Sequence, residues 1–114
     1  MTYTITKTYT KQDDMTFWPW EQTGYSNGLD TAKSEGRLLS HVVSEDGNTA
    51  TTTQEWTSKS VYEDAAVSKN DETLVAQQTQ WNTYMSVNKI TCRIVEEDGT
   101  AKVFNSSIQK FELG

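Results

Sequence analysis

Strict alternation of side-chain character marks positions 2–10 of the chain. Because successive side chains of a strand point to opposite faces, this alternation predicts a first strand with one apolar-aromatic face and one hydroxyl face. The first face carries Tyr3, Ile5, Lys7 and Tyr9, and the second carries five threonines. Threonine packs acceptably against water, another subunit or a second sheet, so the sequence leaves these three environments open for the hydroxyl face.

Two Asp-Gly turns predict two hairpins further along the chain. Gly47 lies between the β-branched runs 38–44 and 49–57, and Gly99 follows the alternating run 89–95. Asp-Gly supplies the positive φ angle that tight hairpin turns require. We therefore expect a strand on each side of both turns, with one or two strands between positions 101 and 112.

The stretch between the two hairpins has helical periodicity. Ser58 is a suitable helix N-cap, and the apolar positions of residues 61–66 follow it at helical spacing. After an expected break at residues 68–70, Asp71 caps a second and longer helix. The buried face of that helix is predicted to carry Leu74, Gln78, Trp81 and Met85.

Residues 11–36 follow neither the period of two that is typical of a strand nor the spacing of a helix. Pro19 disfavours helix at the residue before it, so a helix here can begin only at or after Pro19. Gly24 and Gly28 then interrupt the segment, which leaves one or two helical turns over residues 29–35. We expect an irregular segment that ends in a short helix.

The order of these elements indicates the fold class. Strand, irregular or helical segment, two hairpin strands, helices and a further strand is the order of a ferredoxin-like α+β unit. In that unit an antiparallel sheet carries its helices on one face. A chain of 114 residues has room for one such domain, so the prediction is a single ferredoxin-like α+β domain over residues 1–114.

Composition and charge exclude several classes of function. The net charge is −6, with 16 acidic against 10 basic residues scattered singly, so no basic patch is available for nucleic acid. No run is long and apolar enough for a membrane span, and the first residues lack the apolar core of a secretory signal. With Cys92 as the lone cysteine, an intramolecular disulfide is impossible. We expect a cytoplasmic protein that binds neither membrane nor nucleic acid.

Few side chains are credible reactive centres. His41 is the only histidine and lies within a predicted strand, and no nearby residue is spaced to orient it as a base, so a structural role is favoured. Cys92 alternates with Ile90 and Ile94 and is expected to be an inert core thiol. The acidic pairs and triplets, including 96–98, lie at turns and helix starts and are interpreted as solvated rather than as metal ligands.

The aromatic residues are the strongest candidates for a binding site. Their fraction is 11%, and the tryptophans line either a plain core, the favoured interpretation, or a cavity for an apolar ligand. The run 17–20, if exposed, would instead indicate a protein interface. The candidate ligand-binding or partner-binding residues are Phe17, Trp18, Trp20, Trp56 and Trp81.

Three segments carry a resemblance to a known family. The run 36–40, the turn 45–47 and the run 51–58 leading into Tyr62 resemble the dimeric α+β barrel proteins related to the antibiotic-biosynthesis monooxygenases. The likeness covers residues 2–96 by order of elements. The opening Thr-Tyr-Thr-Ile-Thr-Lys-Thr also resembles small proteins of marine bacteriophages.

The family resemblance implies a homodimer whose two sheets close on each other, and a cavity between sheet and helices for a small apolar molecule. It also implies a first helix over residues 12–36, which Pro19, Gly24 and Gly28 oppose. The favoured hypothesis is a non-catalytic, phage-encoded module that self-associates and binds a protein or a small apolar ligand, in the host cytoplasm or a virion. The alternative is a cofactor-independent monooxygenase-like enzyme for a small aromatic substrate, with His41 or Tyr62 assisting proton transfer. Neither hypothesis requires a metal or a cofactor.

Overall fold

The computed structural model describes residues 1–21, 27–67 and 72–114, apart from the side chains of Asn27, Ala66 and Val67. Six strands, three α-helices and two short turns of other helix types make up this part of the chain. They are β1 (Tyr3–Thr10), a 3₁₀ turn (Pro19–Glu21), α1 (Asn27–Ser34), β2 (Leu38–Asp46), β3 (Thr49–Trp56), α2 (Lys59–Tyr62), a π turn (Glu63–Val67), α3 (Glu72–Val87), β4 (Thr91–Glu96), β5 (Ala101–Asn105) and β6 (Lys110–Leu113).

The strands form one antiparallel sheet in the order β2-β3-β1-β4-β5-β6. This confirms the predicted α+β class, and the order of the first four strands is compatible with a ferredoxin-like arrangement. The β5–β6 hairpin extends the sheet beyond β4. A bulge between Leu38 and Ser40 distorts β2 at one edge, and the four-residue strand β6 forms the other edge.

The alternation predicted for β1 is present. Tyr3, Ile5, Lys7 and Tyr9 are buried on the face that meets the helices, and the threonines of the other phase are partly or fully exposed. Because β1 lies between β3 and β4, its buried phase forms the centre of the core. Lys7 therefore lies in the interior at the centre of the sheet, and the other buried side chains of β1 are apolar or aromatic.

The described part of the segment before β2 is irregular, as predicted. The described part of residues 12–36 holds a three-residue 3₁₀ turn from Pro19 and the eight-residue helix α1, so the single long helix of the resembled family is absent from these described residues. A Cβ at Gly28 would lie 2.5 Å from Gln77 Oε1. Glycine thus allows α1 to approach α3 closely. The predicted role of Gly24 lies outside the described residues.

The helical region between β3 and β4 matches the prediction in part. The Val61 amide donates to Ser58 Oγ at 3.1 Å, so Ser58 is the N-cap of α2. The α-helix ends at Tyr62 and continues as a π turn, where a longer α-helix was expected; Tyr62 and Ala65 are buried, as their spacing predicted. The 16-residue helix α3 is the longest helix in the described chain. The expected break at 68–70 and the cap at Asp71 lie outside the described residues.

Both predicted hairpin turns are present. Gly47 joins β2 to β3 with φ of 61°, and Gly99 joins β4 to β5 with φ of 92°. L-residues with a side chain rarely adopt this left-handed region, which explains glycine at both positions. The final segment forms two strands, β5 and β6, rather than one.

Candidate functional site

A cavity of about 510 Å³ lies between the helix-facing side of the sheet and α3. We call it the α3 cavity. Residues of α1, α2, α3, every strand of the sheet except β2, and the β5–β6 turn line it. Its apolar side chains are Leu29, Trp56, Tyr62, Leu74, Val75, Trp81, Ile94, Ile108, Phe111 and Leu113, and its polar ones are Lys7, Gln54, Gln77, Gln78, Thr79, Asn82, Lys102, Gln109 and Lys110.

Trp56 and Trp81 give the α3 cavity aromatic walls, as expected if the tryptophans line a cavity rather than a plain core. The Trp56 indole N–H donates to Gln54 Oε1 at 3.2 Å, which satisfies its polar edge inside the core. Tyr62 packs edge-on against Trp56 with ring centroids 5.8 Å apart. The wall is therefore held in a fixed orientation by neighbouring side chains.

Lys7 projects from the central strand into the α3 cavity, and 7% of it is exposed. Among the residues that the structure describes, neither a hydrogen bond nor an ion pair reaches its ammonium group. Burial lowers the pKa of Lys7, because an ammonium ion loses its hydration there without gaining an opposite charge. Lys7 is thus a buried charged group at the cavity without a described partner.

Hydrogen bonds within the protein use several polar atoms around the α3 cavity. Gln77 Oε1 accepts the Gly28 amide N–H at 2.7 Å, which ties α1 to α3. Gln78 Nε2 donates to Asn82 Oδ1 at 2.7 Å, and Asn82 Nδ2 donates to the Gln109 carbonyl at 3.0 Å. Gln77 Nε2 is buried and has no partner among the described residues.

The charged residues that line the α3 cavity are Lys7, Lys102 and Lys110, and none of its described lining residues is acidic. Lys102 is neutralised by Glu96 at 3.0 Å, and Glu96 also accepts the Tyr3 hydroxyl at 2.9 Å. Glu96 is thus buried, which corrects its interpretation as a solvated turn residue: it is the last residue of β4, on the phase that faces the core.

His41 lies on the helix-facing side of β2, outside the lining of the α3 cavity. Its Nε2 is buried without a partner among the described residues. Burial, together with the positive charge of Lys7, lowers the pKa of His41 to about 4, so the ring is neutral at physiological pH. The structure does not bring His41 together with Tyr62 in the cavity, although the alternative hypothesis assigned proton transfer to one or the other.

Two other candidate groups have poor reactivity. Burial raises the pKa of the Tyr62 hydroxyl, with nearby Glu96 and Glu63 adding to the shift, so this group remains a hydrogen-bond donor at neutral pH. Burial raises the pKa of the Cys92 thiol to about 12, which keeps it protonated. Cys92 is accordingly a core residue of the inert kind that the sequence indicated.

Trp18 and Trp20 lie away from the α3 cavity. Their rings stack at 5.3 Å with an interplanar angle of 11°, and Trp20 meets Tyr9 edge-on at 5.1 Å. The Lys11 ammonium lies 4.7 Å from the centre of the Trp18 ring. Trp18 is buried and Trp20 is partly buried, so Phe17 is the large side chain of residues 17–20 that is mostly exposed.

The side of the sheet opposite the helices is uncovered by any described element. We call it the open face; its side chains include Thr4, Thr6, Thr8, Thr10, Ser40, Val42, Ser44, Thr51, Thr53, Arg93, Val95 and Val103. Thr6 pairs with Thr53 and Thr8 with Thr51, which gives β1 and β3 adjoining rows of hydroxyl groups. Val42, Val95 and Val103 are exposed there.

Sequence reasoning placed Lys7 on the apolar phase of the first strand and did not treat it as a candidate. The available signal was the position of Lys7 in the alternation of β1. A lysine between Ile5 and Tyr9 on the core face of a central strand is directed into the interior. The unpartnered Nε2 of Gln77 had no comparable signal, because the orientation of this side chain depends on the Gly28 amide, which donates to Gln77 Oε1 from 49 positions away.

Within the described residues, no helix is long and apolar enough to cross a membrane, and no group of three or more His, Cys, Asp or Glu side chains could hold a metal ion. The resemblances to the dimeric α+β barrel family and to phage proteins stay predictions. No protein-family model, curated protein or solved structure matches this chain.

Proposed function

We propose that the protein is a non-catalytic binding module that takes a small, largely apolar molecule into the α3 cavity. The observation that carries this proposal is the cavity itself, with a volume of about 510 Å³ and with Trp56 and Trp81 among its lining residues. Ligand pockets in proteins have volumes of roughly 300–1,000 Å³, apolar and aromatic walls and a few polar groups. The α3 cavity has each of these properties.

The entrance of the α3 cavity supports the same proposal. Ile108 and Leu113, at the β5–β6 hairpin, line the cavity and are exposed by 51% and 80%. We call these two residues the mouth. Exposed apolar side chains at the edge of a pocket lower the cost of passing an apolar molecule from water into it.

Calorimetric titration with the neutral probe 4-phenylbutanol tests ligand binding. We expect saturable binding to the wild type and a loss of about tenfold or more in affinity for Val75→Phe, which fills the cavity from α3. Ala76→Phe is the matched control, because Ala76 is the next residue of the same helix and is exposed. Equal binding by both variants, or none by the wild type at millimolar probe, contradicts the proposal.

We further propose that two copies associate through their open faces, as the resemblance implies. The supporting observation is that a six-stranded sheet carries helices on one side, while exposed valines and threonines cover the other. Threonines and valines outnumber the charged side chains of this face, which are Asp46, Glu55, Arg93 and Glu112, so the face can exclude water against a second copy. A place in a phage particle is part of this proposal and depends on the resemblance alone.

Light scattering after size exclusion tests the association. The wild type is expected at twice the monomer mass at micromolar concentration, and Thr53→Lys, which adds a charge to the open face, is expected to run as a monomer. Ala76→Lys adds the same charge on exposed helix surface and should remain a dimer. A monomeric wild type contradicts this part of the proposal.

A further inference from the structure

We propose that the ligand of the α3 cavity is a monocarboxylate, whose carboxylate pairs with the Lys7 ammonium group and whose apolar body packs between Trp56 and Trp81. This inference rests on the proposed binding function and specifies the chemistry of the ligand. Its evidence is the pattern of unpartnered donors, used acceptors and charge around the cavity.

Unpartnered donors are the first observation. Lys7 and Gln77 are 7% and 8% exposed, and both line the α3 cavity. Within the described part of the chain, no hydrogen bond or ion pair reaches Lys7 Nζ; Gln77 Nε2 is also unpartnered but has almost no accessible surface. Buried polar groups in native proteins are nearly always satisfied, so an unpaired ammonium group at a cavity indicates a missing acceptor.

The side-chain acceptors are the second observation. Gln54 Oε1 accepts from Trp56, Gln77 Oε1 from Gly28, and Asn82 Oδ1 from Gln78. Each of these carbonyl oxygens already accepts one hydrogen bond, so a donor on a ligand would compete with a donor of the protein. A carboxylate brings only acceptors, and it can receive hydrogen bonds from the Lys7 ammonium group.

Charge is the third observation. The chain has 16 acidic residues, yet the described lining of the α3 cavity has three lysines and no carboxylate. Glu96 already neutralises Lys102, which leaves Lys7 as the buried lysine of the described lining that has no carboxylate partner. One ammonium group balances one negative charge, whereas a phosphate dianion would leave a second charge buried and unpaired. This balance favours a carboxylate over a phosphate.

The positions of Lys7 and the mouth set the direction of binding. Lys7 lies on β1 at the centre of the sheet, and Ile108 and Leu113 lie at the β5–β6 hairpin near its edge. A ligand with its carboxylate at Lys7 therefore extends its apolar body past the tryptophans toward the mouth. Aryl-alkyl and medium-chain monocarboxylates have this shape.

Calorimetric titration of 4-phenylbutyrate and 4-phenylbutanol separates this inference from the proposed function. The two probes share a skeleton and differ in the anionic head. Because a charge-assisted hydrogen bond inside a protein corresponds to about 10- to 100-fold in affinity, the wild type is expected to prefer the acid by about that factor. Lys7→Met should abolish this preference and still bind the alcohol, while Lys33→Met, an exposed change on α1, should behave as wild type.

Proton uptake is a second readout of the ion pair. Burial lowers the pKa of Lys7 in the empty protein, and an adjacent carboxylate raises it again. Acid binding measured in two buffers of different ionisation enthalpy should therefore show proton uptake that increases with pH in the wild type and none in Lys7→Met. A lysine with a purely structural role would not produce this difference.

Each outcome has a distinct meaning. Equal affinity for the two probes in the wild type overturns the carboxylate inference and leaves the binding function standing, whereas failure of both probes overturns both. A preference that survives in Lys7→Met places the recognition elsewhere and overturns the assignment. Reductive trapping of 4-phenylbutanal on Lys7, without any preference for the acid, would identify a reactive amine and also overturn it.

Discussion

Replacing Lys7 with methionine should stabilise the ligand-free protein. Methionine keeps an unbranched stem of similar length and removes the buried amine, so the packing around β1 changes little. Burial of a polar group without a partner costs about 1–3 kcal/mol in protein mutants, and Lys7 is 7% exposed with no described partner. We expect Lys7→Met to raise the free energy of unfolding by about that amount.

The same change should alter the pH dependence of stability. Burial lowers the pKa of Lys7 in the folded state, while the unfolded chain retains a value of about 10.4. Between these two values the unfolded state binds the extra proton, so the stability of the wild type rises with pH across that window. Below the folded-state pKa the full penalty is present. The advantage of Lys7→Met is therefore largest below the folded-state pKa and shrinks toward about pH 10.

Urea unfolding at several pH values between 6 and 9.5 measures both effects. Thermal unfolding at pH 7 gives a third readout: at about 4 °C per kcal/mol for a domain of this size, the melting temperature should rise by roughly 4–12 °C. Lys33→Met is the control for loss of a positive charge from an acidic protein, and should change stability by less than about 0.5 kcal/mol. A destabilised Lys7→Met with the same pH slope as the wild type would show that Lys7 is partnered in solution, and would refute the reasoning.

Three further predictions concern other buried groups. Burial lowers the pKa of His41 to about 4, so the unfolded state binds more protons than the folded state between about pH 4 and 6.5. The free energy of unfolding should therefore rise with pH across this window, by about 1–2 kcal/mol after allowance for partial exposure. In urea titrations at several pH values, His41→Gln should lose this pH dependence. Glu96→Gln breaks the buried ion pair with Lys102 and weakens the hydrogen bond from the Tyr3 hydroxyl. It should lower the free energy of unfolding by about 1–3 kcal/mol in urea titrations, with Glu97→Gln as the exposed control. An unchanged urea midpoint would contradict the pairing. Because burial raises the pKa of the Cys92 thiol to about 12, a disulfide reagent should label it only after unfolding, and rapid labelling of the native protein would contradict its burial.

Local patterns predicted much of the fold because they act over a few residues. The period of two in residues 2–10 identified β1 and both of its faces, and the positive φ of Gly47 and Gly99 follows from turn chemistry. The N-cap at Ser58 is equally local. These elements can be read from sequence because each depends on neighbours in the chain.

The candidate site was harder to predict because it depends on distant residues. The tryptophans look alike in sequence, yet Trp56 and Trp81 line the α3 cavity while Trp18 stacks on Trp20 elsewhere. Sorting them requires knowing where α3 crosses the sheet. The burial of Glu96 depends likewise on a distant residue, because it follows from the register of Glu96 against Ile5, and β4 extends one residue beyond the alternating run 89–95.

The two ends of the sheet constrain how copies of this chain can meet. Unpaired backbone groups at a sheet edge invite strand-by-strand addition, which leads to open-ended growth. In this fold one edge, β2, is bulged between Leu38 and Ser40, and the other, β6, has four residues that include Lys110 and Glu112. Both features oppose lateral addition, so a closed assembly of finite size is the outcome that the architecture permits most readily.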